Sequence, residues 1–217
     1  NGIYLSNSAS MTFTNNTIAV AGDYGIYCDN SSSSTIQNNS IDGSYSEAAI
    51  RMDNCAFCDF SNNTITNHPY RGIWVDNGFT TTINNNTMDV QYDGIYARDG
   101  SFLTINYNEI NDFEERGIDF YSSENSTVNY NRIISNVSTG DWKSGIGNWD
   151  NSQNAVVNYN YIEINASYGA IGIYVNGSEI KFDSVLVESI GSCYNSDASA
   201  IYANESTIED NYIEIAK

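Results

Sequence analysis

The chain has 217 residues, enough for one hydrophobic core, and carries 27 acidic against 8 basic side chains for a net charge of −19. That balance excludes nucleic acid as a partner, since phosphate binding needs clustered Lys and Arg, and it disfavours an anionic membrane surface. No stretch approaches the ~20 apolar residues of a membrane span, so this segment is not expected to insert, while 41% apolar content with 13% aromatics argues against disorder.

In chain order, a short run opens each of nine units: Gly2 to Leu5, Gly25 to Cys28, Ala49 to Met52, Gly72 to Val75, Gly94 to Ala97, Gly117 to Phe120, Gly145 to Asn148, Gly172 to Val175 and Ala200 to Ala203. Their starts lie 22–28 residues apart. A second run follows inside each unit, as Phe13 to Ile18, Ile36 to Ile41, Phe60 to Ile65, Ile83 to Met88, Ile105 to Ile110, Val128 to Ile133, Val157 to Ile162 and, contracted, Ile208 to Ile213. Both runs alternate apolar with polar, which is the signature of strands with one face in and one face out. Strands this short bury nothing alone, and stacking unit on unit supplies the core. The expected fold is therefore all-β: one parallel β-helix of about nine coils over residues 1–217, with 22–28 residues per coil. Ile3, Ile26, Ile50, Ile73, Ile95, Ile118, Ile146, Ile173 and Ile201 should point inward. The column Asn16, Asn39, Asn63, Asn86, Asn108, Asn131 and Asn160 should turn a tight corner in left-handed geometry and pair amide on amide between coils.

The repeated Gly-Ile-Tyr and Asn-Asn-Thr-Ile blocks resemble the right-handed parallel β-helix repeat of the NosD-like group, also called carbohydrate-binding and sugar-hydrolase domains. The resemblance runs from Gly2 to about Ile215. It implies a setting among polysaccharide lyases, glycoside hydrolases, epimerases and repeat modules of archaeal surface proteins such as S-layer components. The matching residues are the ones that build the coil, and no catalytic motif of a particular enzyme is matched, so no catalytic residue carries over.

The outward position between the two inner ones reads Tyr4, Tyr27, Arg51, Trp74, Tyr96, Asp119, either Gly147 or Asn148 at coil seven, Tyr174 and Tyr202. Tyr27, Arg51, Trp74, Tyr96 and Asp119 are the candidate carbohydrate-binding residues, because stacked aromatics on a flat sheet face suit a polysaccharide along the axis. A plain cross-strand aromatic ladder would have the same sequence. Charged residues precede the same strand at Asp23, Glu47, Arg71, Asp93, Glu114, Glu115 and Arg116. Carboxylates near Asp93, Glu115 and Asp119 define the alternative, a lyase or glycoside hydrolase acting on an acidic polysaccharide. The leading expectation is an extracellular or cell-surface structural module that binds glycans or assembles into a filament.

Three segments, 134–144, 163–171 and 188–199, read as longer loops that would wall one end of the aromatic face. Cys28 reads as a small buried hydrophobe, Cys55 and Cys58 form a lone CxxC, and Cys193 stands apart. With His68 the sole histidine, no zinc set is complete, and neither metal nor cofactor is expected. Of ten Asn-x-Ser/Thr sequons, Asn136 and Asn165 fall in irregular loops and are the expected glycan acceptors. With no visible capping helix, the chain reads as a segment of a larger protein or a subunit stacking head-to-tail.

Overall fold

The computed structural model describes residues 1–44, 47–137, 142–149, 152–167, 169–189 and 198–216. Among them every regular element is a strand, and the strands form three parallel nine-stranded sheets. The first sheet runs from Ile3–Ser6 to Ala198–Asn204, the second from Thr12–Thr14 to Thr207–Glu209, and the third from Thr17–Ala21 to Tyr212–Ala216. Each coil contributes one strand to each sheet in the same order, so the fold is a parallel β-solenoid.

Register follows the sequence columns. Ile26 pairs with Ile50, Ile73 with Ile95 and Ile118 with Ile146 on the first sheet. On the second, Ile83 pairs with Ile105 and Val128 with Val157, and on the third Ile110 pairs with Ile133. These side chains are fully buried, together with Phe60, Phe113 and Phe120. Coil seven departs from the pattern. Its inward position is Asn148, buried and donating from Nδ2 to Ser178 Oγ at 3.0 Å.

The glycine that opens seven of the nine first-sheet runs, the others opening on Ala49 and Ala200, has a steric cause at Gly117. A Cβ on Gly117 would meet Ile133 Cγ2 and lie 2.6 Å from the Gly145 carbonyl oxygen. The first and third sheets approach too closely there for any side chain.

The asparagine column forms the amide ladder that was expected, though its geometry differs. Asn39 donates from its backbone N–H at 3.1 Å and from Nδ2 at 3.0 Å to Asn63 Oδ1, and Nδ2 also donates to the Phe13 carbonyl at 3.1 Å. Asn63, Asn86, Asn108 and Asn131 repeat the pattern, and the ladder runs on through Asp183, an acid in the amide column, to Asn211. The left-handed residue is the one before the ladder: Asn15, Asn38, Asn62, Asn85, then Tyr107, Tyr130, Tyr159, Phe182 and Asp210, with φ of 55–61°. The ladder amide must point inward to reach the next coil, so the preceding residue makes the reversal.

The segments read as longer loops are partly strand. Trp142 pairs with Gly169, Lys143 with Ala170 and Ser144 with Ile171, so the extra residues lengthen the first-sheet strands to Trp142–Trp149 and Gly169–Asn176. Residues 138–141, 168 and 190–197, with Cys193 among them, lie outside the described residues.

Candidate functional site

The outward column of the first sheet assembles in register: Tyr27 beside Arg51, Arg51 beside Trp74, Trp74 beside Tyr96, Tyr96 beside Asp119. All five candidate residues therefore share one face. The middle of that face is an interleaved layer of guanidinium, ring and carboxylate rather than a bare aromatic strip. Arg51 Cζ stands 3.9 Å from the Trp74 ring centroid, and Arg71 Cζ lies 4.8 Å from Trp74 and 4.6 Å from Tyr96. Trp74 is consequently only 9% exposed. Arg51 is held by Asp53 (Nε–Oδ1 2.9 Å), which also accepts the Tyr27 hydroxyl at 2.7 Å. Burial, reinforced by Asp53, pushes the Tyr27 phenol pKa well above its ordinary range. Asp76 accepts from Arg98 Nε at 3.1 Å, and Arg51 Nη2 lies 3.9 Å from it. Four of the eight basic residues in the chain, Arg51, Arg71, Arg98 and Arg116, gather here.

Two carboxyls of this face are buried. Asp93, fully buried, binds Arg71 Nε at 2.9 Å and keeps Oδ1 without a hydrogen bond. Asp119, 2% exposed, accepts from Arg116 Nη1 at 3.2 Å, and its Oδ1 has no hydrogen bond of good geometry, the Trp149 indole N–H being the nearby donor. Burial raises Asp93 to about 6, with Arg71 and Arg116 pulling the other way. Burial raises Asp119 to about 7, against the pull of Arg116 and with the Asp93 charge adding to the rise. A side chain that holds its proton near neutrality can act as donor or general acid.

Asp119 helps form a recess of about 330 Å³ with Tyr96, Arg116, Tyr121 and Trp149. Trp149 owes its position to Gly147, where any Cβ would strike the indole and come 3.2 Å from Asp119 Oδ1. Beyond the recess the Trp149 ring stacks on Tyr174 at 4.0 Å, and Tyr174 on Tyr202 at 5.0 Å. Sequence reasoning missed Trp149, Asp53, Asp76 and Arg98. The signal for Trp149 was the break in Gly-Ile-Tyr at coil seven, where a second glycine replaces the outward residue.

The remaining candidates lie elsewhere. His68 is buried at the end of the strand Thr64–His68, its Nδ1 accepts the Tyr70 N–H at 3.2 Å, and burial lowers it to about 4. Cys28, Cys55 and Cys58 are free, buried thiols, and Cys55 Sγ accepts the Ser31 N–H that a serine would take in neighbouring coils. Burial raises Cys28 to about 12. No three His, Cys, Asp or Glu side chains among the described residues form a metal-binding group. Asn136 is exposed, whereas the Asn165 amide, half-buried, donates to Asn136 Oδ1 at 2.9 Å.

A family model described as the right-handed beta helix region matches residues 1–162. Among solved structures, the A-module of mannuronan C-5 epimerase AlgE6 from Azotobacter vinelandii superposes with a TM-score of 0.58 at 14% identity, covering 97% of this chain and 58% of that one. The surface protein and adhesin PfbA of Streptococcus pneumoniae gives 0.52 at 11% identity, covering 88% of this chain and 69% of its own. This chain thus spans little more than half of the epimerase module. No curated protein matches the sequence.

Proposed function

Since the chain belongs to the right-handed β-helix family, we propose that its first sheet is the glycan-recognising face of an extracellular or cell-surface module, with a sugar residue seated in the recess over Asp119. The observation that carries this reading is the recess itself, where a buried carboxyl shares the wall with the Tyr96 and Trp149 rings and with Arg116. Aromatic walls with a few convergent polar groups are the usual make-up of small-ligand sites. The likeness to an epimerase module named for mannuronan and to a surface adhesin is in keeping with that setting. Within the family, the Gly-Ile-Tyr and Asn-Asn-Thr-Ile blocks lead us to assign the narrower NosD-like group.

Affinity electrophoresis against a panel of acidic and neutral polysaccharides tests the reading. The wild type should be retarded by at least one, and Asp119→Asn and Trp149→Ala should run free. Retardation that both variants retain would remove the recess from the proposal.

A second reading, cleavage of an acidic polysaccharide, draws on the buried carboxyls Asp93 and Asp119. Both hold their protons to higher pH than ordinary carboxylates, the Asp93 charge adding to the rise at Asp119. Asp119 would then serve as the proton donor, Asp93 as its charge partner, and Arg71 and Arg116 as counterions. Release of new chain ends, abolished in Asp119→Asn while binding persists, is the expected outcome. Absence of product across the panel rejects this reading and leaves recognition standing. Head-to-tail self-association is a companion proposal, resting on the in-register parallel stacking that would let a coil of one copy continue the sheets of another. Dilute samples that stay monomeric by light scattering count against it.

A further inference from the structure

The outward face of the second sheet is unlike the first. Across coils four to seven its side chains are Thr82 and Asn84, Thr104 and Asn106, Thr127 and Asn129, Val156 and Asn158, with no charge among them in a chain of net charge −19. Asn84, Asn106, Asn129 and Asn158 each use Oδ1 to accept the backbone N–H one coil on, at 2.8–3.0 Å. Their Nδ2 groups donate to no acceptor among the described residues, leaving a row of free amide donors on a half-buried strip.

That row is bordered by a rail of rings. Tyr107, Tyr130, Tyr159 and Phe182 stack at 4.9 Å with interplanar angles of 3–8°, and each is about half exposed. All four sit at φ of 57–59°, where bulky side chains are strained, in a column that earlier coils fill with asparagine at little strain. The exchange of asparagine for aromatics runs from coil five to coil eight. The rail therefore overlaps the uncharged strip over coils five to seven and passes Glu179 and Lys181 in coil eight, and it leaves each ring face about half open to solvent.

We propose that this strip binds a neutral, linear polysaccharide lying parallel to the helix axis. The donors recur once per coil, ~4.8 Å apart, a step comparable to the rise of one sugar unit, so successive hydroxyls meet successive amides and tyrosine hydroxyls. The charge pattern selects the class: an uncharged strip accepts an uncharged polymer, while the acidic remainder of the molecule repels polyanions. The surface is independent of the first-sheet recess.

Co-sedimentation with microcrystalline cellulose and with chitin powder, with soluble alginate as competitor, is the test. The wild type should pellet with at least one of the two, undisturbed by alginate. Asn106→Asp with Asn129→Asp keeps the oxygen that each neighbouring backbone N–H needs but replaces the donor by charge, and should reduce the bound fraction at least five-fold. Tyr130→Ala with Tyr159→Ala should do the same, with an unchanged far-ultraviolet spectrum certifying the fold. Wild type absent from both pellets, displacement by alginate, or a folded Asn→Asp pair that binds like wild type would each overturn the proposal.

Discussion

Replacing Asp183 by asparagine restores to the amide ladder the side chain that its other rungs carry, and the gain should depend on pH. In the wild type Asn160 donates to Asp183 Oδ1 from its backbone N–H at 2.6 Å and from Nδ2 at 2.9 Å, while Asp183 Oδ2 is buried without a partner. At the equivalent place a ladder amide turns Nδ2 toward a carbonyl of the preceding coil, as Asn160 does to Val128 and Asn211 to Ile180. An ionised Oδ2 there faces acceptors, and burial accordingly raises Asp183 from the ordinary 3.8 to about 7. The folded state therefore holds a proton that the unfolded state releases above about pH 4, so the stabilising contribution is full below that pH and declines as pH rises toward 7. At ~1.4 kcal/mol per pH unit the decline totals roughly 4 kcal/mol. Urea unfolding at pH 4.5 and pH 8 should show Asp183→Asn nearly neutral at the lower pH and stabilising by several kcal/mol at the higher one. Taking the difference between variant and wild type cancels the parallel titrations of Asp93 and Asp119. Equal effects at both pH values, or a variant less stable than wild type at pH 8, would refute the reasoning.

Asn131→Ala strands the Asn108 N–H and takes one acceptor from its Nδ2, which keeps the Ile83 carbonyl; a loss of roughly 2–5 kcal/mol in denaturant titration is expected. Gly117→Val drives its side chain into Ile133 and the Gly145 carbonyl, for a loss of at least ~1–3 kcal/mol or failure to fold, read from the melting temperature. The sole histidine should titrate near pH 4 by nuclear magnetic resonance, because burial disfavours its charged form. Its folded pKa is depressed, so the stability it contributes is present above about pH 6.5 and lost as pH falls toward 4; a midpoint near 6.5 would show the ring in water.

Most of the scaffold was legible because a solenoid converts sequence columns into spatial ones. Ile73 stacks on Ile50 and Ile95 since nothing but the repeat decides register. The five outward candidates met on one face for the same reason. What could not be read was set by side-chain reach between columns. Arg51 and Arg71 cover Trp74 through long flexible stems, and Trp149 arrives over Asp119 from two positions along its own strand because Gly147 leaves the space. The corner geometry was misassigned by one residue, since asparagine suits both the reversal and the ladder and only burial tells them apart.

Because every rung of the amide ladder donates in one direction, the rod has a head and a tail even where adjacent coils look alike. Duplicating one whole coil of the middle region would preserve that polarity, insert one more tyrosine into the rail and lengthen the molecule by a single step. Gene duplication could in this way change how many contacts such a surface offers without redesigning any of them.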